Sequence, residues 1–103
     1  MKRIISISRI VESREVAKGT REVIASGEAA FDEGKSELVL DLDSKVILTD
    51  ARGHETRLTE EWLPRRETVR EHMDLGEGPA AAKEIFDRWA GKVREAIPGL
   101  LAR

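Results

Sequence analysis

The chain has 103 residues, with 18 basic and 20 acidic side chains and a formal net charge of −2 at pH 7. This length is typical of one domain built around one hydrophobic core. The charges of both signs are spread along the whole chain, which argues against the basic surface of a sequence-independent nucleic-acid binder. The absence of cysteine excludes disulfides, thiolate metal sites and cysteine nucleophiles. We therefore expect residues 1–103 to form a single domain.

The N-terminal segment predicts a strand over Ile4–Ile10, because apolar and polar side chains alternate there. Ile5 and Ile7 share one face of that strand. The other face carries Ile4, Ser6, Ser8 and Ile10.

Residues 13–26 are ambiguous. Apolar side chains fall at helix spacing after Ser13, which is a good N-cap, and this favours a helix. The alternative is a strand, since Gly19 destabilises a helix interior and the β-branched Val23 and Ile24 suit a sheet. Helix is the preferred interpretation.

The middle of the chain predicts an antiparallel meander over residues 29–59. Leucines and valines alternate with polar residues, and Asp–Gly combinations at 32–34 and 50–53 are typical of tight turns. We interpret Asp43-Ser44-Lys45 as a further reversal. The predicted strands are a short one to Phe31, followed by 36–43, 45–50 and 54–59.

The C-terminal part predicts two helices. Pro64 suits a first helical position, so a helix is expected over 64–73 with Val69 and Met73 facing inward. A longer amphipathic helix is expected over 79–97, where apolar residues recur at three and four. The fold class is therefore α+β, an antiparallel sheet of four or five strands with helices packed on one face. The predicted core centre consists of Leu38, Leu40, Leu42, Val46, Leu48, Phe86, Trp89, Val93 and Ile97.

No motif predicts catalysis, a metal or a cofactor. Asp41, Asp43 and Asp50 do not have the spacing of a calcium-binding loop. Neither a phosphate-binding loop nor a nucleophile elbow is present in the sequence. The remaining candidates for ligand binding lie at the mouth of a pocket between the sheet and the 64–73 helix. They are Trp62, Arg66, Arg70 and His72.

The second sheet face suggests a function. Val39 and Ile47 would lie there beside Asp41 and Asp43, and one helical layer covers only one face. We therefore expect a small cytoplasmic, non-enzymatic interaction or regulatory module that binds a protein partner or forms a homodimer. Neither nucleic acid nor a membrane is expected as a partner, since no apolar run reaches the length of a span. The alternative is a small-molecule-binding domain or a minor enzyme.

Overall fold

The computed structural model describes residues 2–32, 34–73 and 78–99. These residues form one antiparallel sheet and a C-terminal helix that packs on it, which confirms the α+β class. The strands are β1 (Lys2–Val16), β2 (Gly19–Asp32), β3 (Glu37–Thr49), β4 (Glu55–Leu58) and β5 (Glu67–His72), and the helix is α1 (Gly78–Ala96). Among the described residues, no helix is both long enough and apolar enough to cross a membrane.

The sheet is arranged around β3, the third strand along the chain. One side of β3 pairs with β2, which pairs in turn with β1. The other side is shared by β4, which pairs with residues 46–49, and β5, which pairs with residues 37–42. Residues 43–45 therefore lie in a gap between β4 and β5. The Asp43 carbonyl in this gap accepts a hydrogen bond from Trp89 Nε1 at 2.8 Å.

The helix predicted over residues 13–26 is wrong, because β1 and β2 form a long hairpin there. Gly19 follows the turn with a φ of +148°, and a Cβ at this position would lie 2.0 Å from the Thr49 carbonyl oxygen. The apolar residues also alternate between faces. Val23 is buried opposite Val46, whereas Ile24 points away from the helix. Pairing on both sides of β2 outweighs the local helix spacing.

The reversal predicted at Asp43-Ser44-Lys45 is also wrong, because β3 runs straight through these residues. Asp43 and Ser44 remain in register with Ser26 and Ala25 of β2. The Asp43 carboxylate accepts the Ser44 N–H at 2.8 Å within the strand. The meander accordingly runs through β1–β4, a longer range than the predicted 29–59.

The helix predicted over 64–73 is wrong as well, since Glu67–His72 forms β5 on the edge of the sheet. The residues of this segment alternate in burial, with half-buried Glu67 and Val69 separated by exposed Thr68. The β-branched pair Thr68-Val69 favours an extended backbone. Backbone pairing with β3 satisfies the donors and acceptors that a helix would have paired internally.

The core lies between α1 and one face of the sheet. Phe86 packs directly on Gly27, where a Cβ would lie 3.1 Å from its ring, and Leu42 lies beside both. Of the predicted core centre, all except Leu48 are buried. The cluster also takes in Val23, Ala25, Ala29, Phe31, Ala82, Ile85 and Ala90.

The sheet face turned away from α1 is called the open face below. No described helix or strand packs on it, because α1 contacts β1, β2 and β3 from the other side. The open face carries Ile4, Ser6, Ser8 and Ile10 of β1, Ile24, Ser26, Glu28 and Ala30 of β2, Val39, Asp41, Asp43, Lys45 and Ile47 of β3, and Thr68, Arg70 and His72 of β5.

Candidate interaction surface

The structure separates the four sequence-predicted binding residues. Arg70 and His72 lie on the open face of β5, and Arg66 lines a cavity on the same side. Arg70 Nη1 lies 3.4 Å from Glu37 Oε1. His72 is exposed and is the residue of β5 that pairs with Glu37 of β3. Trp62 instead packs against the core. Because residues 64–73 are not helical, the pocket predicted between the sheet and that helix is not formed.

Trp62 closes one end of the core. The Arg21 guanidinium lies 5.8 Å from the centre of its ring, and Arg21 Nη2 lies 3.7 Å from Glu60 Oε1. The ring is thus held between the core and a cation that is itself paired with a carboxylate. This arrangement gives Trp62 a structural role, and the sequence showed only its aromatic character.

The open face holds a cavity of about 410 Å³ over the centre of the sheet. Its polar lining consists of Ser6, Ser8, Ser26, Glu28, Asp41, Asp43 and Arg66. Thr68 Oγ1 donates to Asp41 Oδ1 at 2.8 Å, and Asp43 Oδ1 accepts the Ser44 N–H, so each of the two aspartates already has one partner. Neither histidine is in the lining, and the described residues hold no metal-binding group of three His, Asp or Glu. The sequence analysis missed the serines, although their alternation with isoleucines in β1 was visible.

The helix side has a smaller groove of about 240 Å³ between α1 and β5. Lys92 crosses it and forms an ion pair with Glu67, while its Nζ lies 5.5 Å from the centre of the Trp89 ring. The groove is therefore bridged by a side chain of the protein itself. Its remaining lining mixes core edge with solvated charges, as expected where a helix meets an edge strand.

The outer side of β1 is the other distinctive surface, and we call it the β1 edge (the unpaired backbone side of residues 2–16). Within the described ranges no strand pairs with it, and the opposite edge of the sheet is formed by the shorter strands β4 and β5. The large hydrophobic side chains that are exposed in the described chain all belong to β1. They are Ile4, Ile5, Ile10 and Val16. A register shift between Ile10 and Glu12 divides the strand into two parts.

No family model matches the chain, and comparisons with curated proteins and with solved structures find no match. Nothing known of another protein is therefore transferred to these surfaces. What they can do follows from their own geometry, namely an unpaired strand edge with exposed isoleucines beside a polar cavity.

Proposed function

We propose that this chain is a non-enzymatic interaction module that binds a protein partner by adding a strand at the β1 edge. The observation that carries the proposal is that the exposed large hydrophobic residues of the described chain, Ile4, Ile5 and Ile10 among them, all lie on this edge strand. An unpaired edge offers N–H and C=O groups to a neighbouring chain, and apolar side chains along it add burial on pairing.

The side chains of this edge support strand addition. Natural sheets usually protect a long edge with charges or prolines that oppose pairing. Between Ile4 and Ile10, however, Arg9 is the only charged residue. Its Nη2 contacts Asp87 Oδ1 at 2.7 Å, and its guanidinium lies 5.2 Å from the centre of the Phe86 ring. The Arg9 charge is thus paired within its own chain, on the helix side of the sheet.

Site-specific photo-crosslinking in cells that naturally make the protein tests this function. A photoreactive phenylalanine analogue replaces Ile4 in one variant and Arg52, an exposed turn residue, in the control. We expect a protein adduct from position 4 and none from position 52. Equal adduct formation at both positions, or none at position 4, would contradict strand addition.

A second candidate function, binding of a small polar molecule, is supported by the open-face cavity. Three serine hydroxyls and the Arg66 guanidinium converge there on about 410 Å³, a volume within the range of ligand sites. Glucosamine is a suitable probe, because its hydroxyls match the serines and its ammonium group matches the carboxylates. We expect saturable shifts of the Ser8 and Ser26 amide resonances. Shifts that grow linearly with concentration would exclude this candidate for the probe.

A further inference from the structure

We propose that the partner of the β1 edge is a second copy of this chain, paired antiparallel through β1 about a two-fold axis at Ile7. This inference rests on the proposed function and specifies its partner and register. The two five-stranded sheets would then continue into one sheet across the axis. A two-fold interface needs a surface that complements itself, and the sequence of β1 meets that condition.

The register follows from the alternation of side chains. In an antiparallel pair about a two-fold axis, the numbers of any two residues that face each other add up to the same value. Only an even value places the open faces of both copies on the same side of the joined sheet. When the axis passes at Ile7, Ile4 faces Ile10 of the second copy, and the same contact recurs on the other side of the axis. Ser6 then faces Ser8, so hydroxyl groups meet hydroxyl groups.

The neighbouring registers lose this match. With the axis at Ser6, Ile4 would face Ser8 of the second copy and Ile10 would face residue 2. With the axis at Ser8, Ile10 would face Ser6, while Ile4 would face Glu12 beyond the bulge. Only the axis at Ile7 brings the two exposed open-face isoleucines together. The bulge after Ile10 limits the paired segment to residues 4–10, because it bends the strand away.

The exposed isoleucines give this edge apolar surface that pairing can bury. The chain exposes 7122 Å², more than the about 5,800 Å² of a compact monomer of its 11.5 kDa mass. Ile4 and Ile10 contribute to that surface, with exposed fractions of 64% and 53%. Facing each other, both side chains would become mostly buried.

A charge-swap series tests both the partner and the register by sedimentation over a wide range of protein concentrations. The wild-type chain is expected to dimerise. Ile4→Lys and Ile10→Glu should each raise the dimer dissociation constant at least about tenfold. Each change removes the contact between Ile4 and Ile10 at both of its places in the symmetric pair. The double variant should regain most of the wild-type affinity, since the introduced ammonium and carboxylate groups would face each other in this register alone.

Val16→Glu is the matched control, because Val16 is an exposed apolar residue of β1 outside the paired segment. It should leave the dissociation constant unchanged, and circular dichroism should show that all variants are folded. A wild-type chain that stays monomeric at every concentration, or a double variant no better than the single ones, would overturn the inference. If position 4 crosslinks only to a different protein, strand addition stands and the second copy is wrong.

Discussion

Gly27 occupies the closest approach between the sheet and the helix. A Cβ there would lie 3.1 Å from Phe86 Cδ1 and 3.2 Å from Leu42 Cδ2. Both neighbours are almost completely buried, so neither can move aside without disturbing the core. The missing side chain is what lets the Phe86 ring approach the middle of β2 this closely.

Gly27→Ala should therefore lower the free energy of unfolding by about 1–3 kcal/mol, the usual cost of overpacking. Gly91→Ala is the control, since a Cβ on the exposed side of α1 meets nothing within 4 Å. That change should raise stability by up to about 1 kcal/mol through helix propensity. Urea denaturation measures both. A Gly27→Ala variant as stable as wild type would show that the ring has room to shift.

At the scale of elements, Asp87 connects α1 to β1. Its Oδ2 accepts from Lys83 Nζ at 2.8 Å within the helix, and its Oδ1 accepts from Arg9 Nη2 at 2.7 Å across to the strand. The hydrogen bond from Lys83, followed by that from Arg9, lowers the pKa of Asp87 from its ordinary value of 3.8. The carboxylate is thus more easily kept ionised in the folded protein than in the unfolded chain.

The lowered pKa of Asp87 determines how its contacts with Lys83 and Arg9 contribute to stability at different pH values. Because folding lowers the pKa of Asp87, its stabilising contribution is complete above the unfolded value and is lost as the pH falls through the folded value. Asp87→Asn should therefore reduce the melting temperature near neutral pH, and the difference from wild type should shrink below about pH 4. Thermal denaturation across an acid series measures this. A difference that stays constant at all pH values would rule out the titration of Asp87 as its source.

The elements that sequence predicted well are those with one fully buried face. Leu38, Leu40 and Leu42 alternate, and Phe86 and Trp89 fall at helix spacing, because each set meets the same core. The two mispredicted helices have little of such a face, since Val23 and Ala25 are the only residues of 13–26 in the core cluster. In β5 only Val69 packs against the core, so pairing with β3 decides its conformation, and no local pattern encodes that pairing.

The candidate surface was predictable only in part, for a related reason. The alternation of side chains along β1 and β3 predicts which of their residues share a face, including the isoleucines and carboxylates of the open face. Which strand lies at the edge of the sheet depends on strand order, a property of the whole chain. The sequence therefore predicted an uncovered face, but it did not predict that Ile4 and Ile10 lie on an unpaired edge.

At the scale of the whole molecule, a single helix stabilises an extended sheet. The Cα radius of gyration is 15.9 Å, above the roughly 13 Å of a compact domain of this length. The α1 layer is therefore the main cover for the apolar side of the sheet. Trp89 is central to it, because its ring is buried and its Nε1 donates to the Asp43 carbonyl in the gap between β4 and β5.

Trp89→Ala should consequently lower the free energy of unfolding by about 3–5 kcal/mol, a large part of the stability of a small domain. Trp89→Phe keeps an aromatic ring but removes the hydrogen bond to Asp43, so it should cost less. Far-UV circular dichroism follows the sheet and helix, while fluorescence of the remaining Trp62 follows the other end of the core. If α1 and the sheet form one cooperative unit, both signals change at the same lowered temperature. An unchanged melting temperature in Trp89→Ala would mean that the sheet does not depend on this contact.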